Sequence, residues 1–487
     1  SSLGLPSYFS VSSAPALGDI DGDGKPEILA MLADHSIVAI TGDGKIKWRS
    51  AEKTTQNARQ EAAVVIADIE GDGKAEVLAN DLVLNADGST RWRAASDKAL
   101  FLSTPLVADL EGDGHPKVVI GPNVYHADGS LYWSMGSNYK GFSYPAIMKL
   151  DSDDRPKLVV SDANRISVYN HDGSLYWGPL VFPNGYNGMG APTIADIDGD
   201  GEPDILVVAT DGLRALNADG TQKWIQTIDE ASSQTVATAF DFFGNGKMTV
   251  VYSDQSKIHF YDGKTGQELA SAPAYSPTWR EQPVVVDVDN DGHADVIVPG
   301  SPVQVFSDIN NAWVPVSNHW NQMNFTPREV DSNLRIRSPI NVDWQHESHY
   351  RINTPLPQGD VTISLPRIVD NGQTAPSVFK ARVGNAGFAL VPAGTSVAFY
   401  SADPTQGGSL LGVTSTTLPL SAGQYEDVAL AYPQPLNTLT SVFAVVDDDG
   451  SGKHVFNDVE RRNNTVSLNL SALTGSFGVS VSTGATS

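Results

Sequence analysis

The side chains best suited to chemistry in this sequence are carboxylates, and they recur at one spacing. Asp19-Ile-Asp21-Gly-Asp23-Gly-Lys-Pro-Glu27 lies between two apolar runs, with acids at loop positions one, three, five and nine. Asp68, Glu70, Asp72 and Glu76 repeat the pattern, as do Asp196, Asp198, Asp200 and Asp204, and again Asp287, Asp289, Asp291 and Asp295. Carboxylates at alternating positions of a tight loop converge on one point, and the glycines permit the curvature. A hard cation such as calcium wants roughly six to eight oxygens, which carboxylates, a backbone carbonyl and water can supply. These four loops are therefore the expected calcium sites, about four in number and structural, because clustered acids repel one another without a cation. An EF-hand is excluded: its position twelve needs a bidentate Glu, and here that position holds Ala30, Ala79, Val207 and Val298.

Three further loops keep the frame and lose the acids. Asp109, Glu111 and Asp113 are followed by Lys117 at position nine, whose ammonium could itself neutralise the loop. Lys149, Asp151, Asp153 and Lys157 read as internal salt bridging, while Asp241, Phe243, Asn245 and Thr249 should be free of metal. Loss in some units and retention in others argues for a structural ion. A catalytic metal would occupy one distinct site with an open position.

The loops are the punctuation of a repeat. They begin at residues 19, 68, 109, 149, 196, 241 and 287, a mean period of about 45 residues, which matches a four-stranded propeller blade. An Asp-Gly pair falls five residues before a tryptophan in the first five units, from Asp43-Gly44 and Trp48 to Asp219-Gly220 and Trp224. Unit six has Gln267 at the tryptophan position, and unit seven keeps Asp308 and Trp313. Asp-Gly between β-rich runs marks a hairpin. One aromatic per unit at fixed offset is expected to pack between neighbouring blades, with Trp313 as the sixth such residue; a stacking surface for sugars is the alternative. Each unit reads as strand, acidic loop, strand, turn, strand, hairpin, strand. Residues 7–13 either add a strand to the last blade or only lead in.

Asp-x-Asp-Gly-Asp-Gly-x-x-Asp/Glu repeated after a β-run resembles the FG-GAP/VCBS repeats of integrin-like propellers, over about residues 14–313. The resemblance implies an all-β chain whose residues 1–313 form a seven-bladed β-propeller with calcium in its blade loops. Such repeats occur in integrin α-chains and secreted bacterial proteins that bind partners or matrix, and in some polysaccharide-degrading enzymes.

Residues 314–359 lose the repeat and read as a connector strap docking two domains; His319, His346 and His349 raise the alternative of a transition-metal site. Residues 360–471 hold about seven short strands without Trp or Cys, which predicts an immunoglobulin-like β-sandwich. Val383-Gly-Asn-Ala-Gly387 and Asn457-Asp-Val-Glu-Arg-Arg-Asn-Asn464 resemble the bacterial cell-adhesion-related (CARDB) domains. Asp447, Asp448 and Asp449, near Asp458 and Glu460 in sequence, form either another cation site or an exposed acidic loop. The tail, 472–487, is rich in Gly, Ser and Thr, with Phe477, Val479 and Val481 at period two; it reads as a linker or as a strand donated to a neighbour.

Composition narrows the function. Lys plus Arg total 32 against 57 for Asp plus Glu, a net charge of −25, which disfavours nucleic acid and anionic membrane surfaces. No apolar run is long enough to span a bilayer. Cysteine is absent, which removes disulfides, zinc fingers and thiol nucleophiles. Opening at Ser1, with no charged-then-apolar leader, suits either a mature, processed protein or a trimmed piece of one. The expected function is a secreted or cell-surface, calcium-stabilised adhesion or extracellular-matrix protein. Its partners would be glycans, surface or matrix proteins, or copies of itself, and it would be no enzyme, with no catalytic residues. A self-assembling fibre subunit is the first alternative. A polysaccharide lyase or hydrolase is the second, for which Tyr139, Lys140, Tyr144 and His171 could line a ring face, although no catalytic motif appears.

Overall fold

The computed structural model describes residues 8–470 except 11–12, 56–62, 96–103, 137–140, 142, 151–154, 183–188, 231, 276–280, 301, 311, 328, 332–333, 338–348, 357–359, 370–375, 388–390, 422, 437–438, 453 and 455–460. It divides into two compact units, Ser1–Pro355 and Leu356–Ser487. The strap therefore belongs mostly to the first unit.

The protein is all-β, and helix among the described residues is confined to short 3-10 turns such as Pro404–Gln406. Short β-branched runs broken by turn residues at each end leave no length for an α-helix. The first unit builds seven successive antiparallel sheets, each with its strands in chain order. Sheet one comprises Ala16–Gly18, Glu27–Met31, Ser36–Ile40 and Ile46–Lys53. The next five also have four strands, and sheet seven has three among the described residues: Val284–Val286, Asp295–Val298 and Gln304–Ser307. Every acidic loop joins a sheet's first strand to its second.

The core lies between sheets. Leu29, Met31, Ile37 and Ala39 of sheet one pack with Val64, Ile66, Val77 and Leu82 of sheet two. Middle strands are buried on both faces, as in Ser36–Ile40 and Asp204–Ala209, while last strands such as Leu131–Ser134 are half exposed. First strands neighbour one another between sheets one and two, three and four, four and five, and six and seven.

The tryptophans rivet adjacent sheets. Nε1 of Trp48, Trp92, Trp133, Trp177 and Trp224 donates to the carbonyls of Ala86, Ala127, His171, Ala218 and Gly263, each in the next sheet's hairpin, at 2.7–2.9 Å. The hairpin glycine lies flat on the ring: a Cβ on Gly88 would meet Trp48 at 2.6 Å and one on Gly129 would meet Trp92 at 2.8 Å. In unit six the glycine over Trp224 is Gly266, not Gly263. That hairpin closes from Asp262 N–H to Gln267 O, one residue longer than Thr41 N–H to Lys45 O in unit one. The residue in register with the ladder tryptophans is therefore Ala270, paired with Phe260 as Trp48 pairs with Ala39. Trp313 also packs between units but not as a sixth rung of this kind: its ring is tilted against Phe242 and Phe260 of the preceding unit six, with centroids 4.4 and 6.1 Å away. Residues 8–10 pair with Met31–Ala33 of sheet one, not with the last sheet.

The second unit has two antiparallel sheets. One holds Val361–Val369, Ser377–Asn385 and Tyr425–Tyr432; the other holds Leu410–Ser415, Ser396–Tyr400, Ser441–Val446 and Thr465–Asn469, in that order. They share a core of Val361, Phe379, Val397, Phe399, Val428 and Ala444. Asp447 and Asp448 are buried rather than exposed. Asp448 accepts from Tyr400 OH at 2.7 Å and from Gly450 N–H at 2.8 Å. Asp458, Glu460 and the tail 472–487 lie outside the described residues.

Candidate functional site

Within each acidic loop, the position-one aspartate works first for the backbone. Asp19 accepts from the N–H groups of Gly22 and Gly24 at 2.8 and 2.9 Å. Asp68 does the same with Gly71 and Gly73, and Asp109 with Gly112 and Gly114. Asp241 accepts from Gly246 at 2.7 Å even where the other acids are gone. This carboxylate nucleates the turn as an Asx motif does. The position-nine acid folds back on position two: Ile20, Ile69, Ile197 and Val288 donate their N–H groups to Glu27, Glu76, Asp204 and Asp295.

Three loops bring carboxylate oxygens within 4.8 Å of one another: Asp19, Asp21 and Glu27; Asp196, Asp198 and Asp204; Asp287, Asp289 and Asp291. Asp23, Asp200 and Asp295 stand outside these clusters. Asp68, Glu70, Asp72 and Glu76 form no such group among the described residues.

Cationic side chains enter the same loops, and they come from the last strand of the same sheet. Lys47 Nζ lies 2.5 Å from Asp21 and 2.8 Å from Glu27. Lys223 Nζ lies 2.6 Å from Asp198, 2.8 Å from Asp204 and 3.8 Å from Asp200. Arg91 pairs with Glu70 and reaches Glu76 at 3.7 Å. Burial opposes the charge of Lys47 and Lys223, yet the hydrogen bonds and charges of their carboxylates hold both above the ordinary lysine value. The inner acids are strongly desolvated. Burial pushes Glu76 up to about 7, against its bond from Ile69 N–H and the Arg91 charge, and Asp204 up to about 6, against Lys223. In unit three Lys117, itself buried, pairs with Glu111 at 3.1 Å, and Tyr132 donates to the same carboxylate at 3.0 Å. Asp151 and Asp153 of unit four lie outside the described residues, and Lys157 sits over the Tyr176 ring. Among the described residues, only the unit-seven loop combines three converging acids with no lysine or arginine ion pair.

Hard oxygen donors in this number suit calcium. The unit-seven loop fits such an ion. In units one and five the oxygens that would ligate it are bonded to an ammonium.

The strap reaches every sheet from the inside. Leu17 N–H donates to Asn321 O at 2.7 Å, and Ile66 N–H to Gln322 Oε1 at 2.8 Å. Asn324 Nδ2 donates to Pro105 O, just before sheet three. Arg351 then takes over, donating to Pro145 O at 3.1 Å and Pro192 O at 2.5 Å. Tyr350 exchanges both backbone bonds with Ile194 at 3.0 Å, Thr238 Oγ1 donates to Arg351 O, and Asn353 Nδ2 donates to Val285 O. The two strap segments are tied by Arg351 N–H to Phe325 O at 2.9 Å and by its guanidinium to Asn324 Oδ1 at 2.6 Å. Sequence reasoning placed this segment between domains, and no periodicity marks where it goes. Of its histidines, His319 packs edge-on to Phe325, His349 is half-buried, and His346 lies outside the described residues.

The residues weighed for catalysis do not converge. Tyr144 is buried on an inner strand. His171 sits in an outer hairpin against Arg155, 2.7 Å away. Tyr139 and Lys140 lie outside the described residues. One titratable cluster stands apart from the loops: His259 bridges Asp254 at 3.0 Å and Glu268 at 2.8 Å. Burial opposes the imidazolium, but the two carboxylates raise its pKa above 6.5. Its contribution to stability is therefore complete below 6.5 and lost as pH rises through the raised folded value. Denaturant unfolding at about pH 6 and about pH 8.5 should show wild type losing more stability than His259→Gln; equal losses would refute the pairing.

A family model described as an FG-GAP-like repeat matches residues 19–79, 149–207 and 215–298. Comparison by sequence with curated proteins gives no match. Among solved structures, the Vibrio cholerae biofilm matrix protein Bap1 is similar at 18% identity and TM-score 0.59, over 70% of this chain and 85% of that one. The exotype rhamnogalacturonan lyase YesX aligns at 14% identity and TM-score 0.42, over 72% and 81%. The Bacillus licheniformis rhamnogalacturonan lyase PL11 aligns at 17% and 0.39, over 70% and 77%. The first unit is thus a β-propeller carrying FG-GAP-like repeats.

Proposed function

We propose that the protein is a non-enzymatic extracellular adhesion or matrix component. In this reading a seven-bladed propeller, with the seven sheets as its blades, and an immunoglobulin-like sandwich present rigid surfaces to glycans, surface proteins or further copies of the chain. The observation that carries the reading is the strap. It bonds to the inner strand of each sheet, or to the residue before it, so the centre of the ring is filled by the chain itself, and recognition falls to exposed loops on a rigid scaffold. The likeness in fold to a biofilm matrix protein supports it. The sandwich reading rests on strand order: strands one, two and five form one sheet, and four, three, six and seven the other, a Greek-key arrangement. Calcium has its best-fitting site in the unit-seven loop, where it would neutralise Asp287, Asp289 and Asp291 and stiffen that loop. Secretion follows from the same reading; among the described residues no helix is long and apolar enough to cross a membrane.

Incubating the full chain with a panel of acidic and neutral polysaccharides tests the proposal. Saturable binding without shortening of the polymer is expected. Release of unsaturated or reducing sugar ends, catalytically and in proportion to protein, would replace this reading with a lyase or hydrolase.

A further inference from the structure

Two positions change together from unit to unit. Where loop position nine is acidic, as in Glu27, Glu76 and Asp204, the residue before the ladder tryptophan is a cation: Lys47, Arg91 and Lys223. Where position nine is a lysine, as in Lys117 and Lys157, that residue is a tyrosine: Tyr132 and Tyr176, whose rings lie 5.4 and 5.1 Å from the ammonium groups. Each of these five sheets thus holds one positive charge at the junction of its loop and its last strand, from one side or the other. Unit six needs none, having Phe243 and Thr249 in place of acids. Unit seven has the acids, and no cation is paired with them among the described residues.

The ammonium and a metal compete for one place. Calcium would sit ~2.3–2.6 Å from its carboxylate oxygens. Lys47 Nζ is already 2.5 and 2.8 Å from Asp21 and Glu27, and Lys223 Nζ is 2.6 and 2.8 Å from Asp198 and Asp204. Two cations at one point in a desolvated loop repel strongly.

We propose that the chain supplies its own cations to its propeller loops. Lys47, Arg91 and Lys223 take the place of calcium in units one, two and five, and Lys117 does so in unit three. A divalent ion is then left to the unit-seven loop at most. This rests on the calcium reading above only for unit seven.

Calcium binding by the full chain, counted by equilibrium dialysis, and melting temperature with calcium or with a chelator, test it. Wild type should bind at most one calcium per chain, lost in Asp289→Asn. Lys223→Met should bind one more than wild type; it should melt lower than wild type in chelator and regain most of the difference in calcium. Lys47→Met should behave alike, and Lys223→Arg should gain no site. Three or more calcium ions bound by wild type would overturn the proposal, as would an unchanged count in both Met variants. A wild type that binds none, with Lys223→Met binding one, would overturn only the unit-seven reading.

Discussion

Arg351→Met is expected to destabilise the first unit by about 3–5 kcal/mol, among the largest effects of any single polar substitution in this chain. Arg351 is completely buried. Its guanidinium donates to Pro145 O of sheet four, Pro192 O beside sheet five and Asn324 Oδ1 of the other strap segment. Methionine roughly preserves the length and apolar bulk of the side chain, so a cavity contributes little. The cost lies in three buried oxygens left without donors, each worth ~1–3 kcal/mol. All nine tryptophans precede the boundary at Pro355, so tryptophan fluorescence during guanidinium unfolding reports on this unit alone. Arg335→Met is the control. Arg335 sits on the same strap, 3.4 Å from the buried Asp19 but with its own side chain 55% exposed, and a long contact from a solvated guanidinium contributes under about 1 kcal/mol. Equal effects of the two substitutions would show that the strap merely lies against the sheets.

The strap also marks where sequence reading stopped. The acidic loops and the Asp-Gly hairpins were legible because every interaction that shapes them is local: Asp19 reaches Gly22 and Gly24, and Gly44 N–H reaches Thr41 O. Asn321 meets Leu17 across 304 residues, and nothing in the spacing of Asn, Gln and Arg along 321–353 announces seven separate partners. The tethered cations fall between these cases. Lys47 lies 20 residues from Glu27, within one repeat, and the exchange between position nine and the residue before the tryptophan was present in the sequence. Reading each loop alone hides it in units one, two and five, because the neutralising cation lies outside the loop, on the last strand of the same sheet. The unit-six hairpin misled for a simpler reason. Asp262-Gly263 opens that hairpin where Thr41-Gly42 opens the first, two positions before the turn pair, and one residue is inserted, so the glycine over the ring is Gly266 and a fixed offset points at Gln267 instead of Ala270.

Gly88→Ala should cost about twice as much as Gly44→Ala, although the two glycines occupy the same turn position. Their φ angles are 81° and 79°, so each alanine bears the same left-handed penalty of about 1–2 kcal/mol. A Cβ on Gly44 meets nothing within 4 Å, whereas one on Gly88 would meet Trp48 Cδ2 and Cε3 at 2.6 Å. The ring must move or the hairpin must lift, and either strains the 2.8 Å bond from Trp48 Nε1 to Ala86 O. Overpacking of this kind adds about 1–3 kcal/mol. Adding Trp48→Ala to Gly88→Ala should then cost less than the two single losses summed, because the clash is gone; strict additivity would refute the ring contact. The same pair of glycines explains the strap. Gly44 is open because, among the described residues, no tryptophan stands against it: the rungs begin at Trp48 and end at Trp224, and Trp313 is turned toward unit six. The ladder therefore joins sheets one to six in series and leaves the seventh and first without a rivet. The strap links those two sheets instead: Ser317 O accepts from Asp287 N–H of unit seven and Asn321 O from Leu17 N–H of sheet one, four residues apart in one strap segment. Cutting the strap should therefore loosen the seventh and first sheets together, and local hydrogen exchange in Val284–Val286 and Ala16–Gly18 is where that opening would first be read.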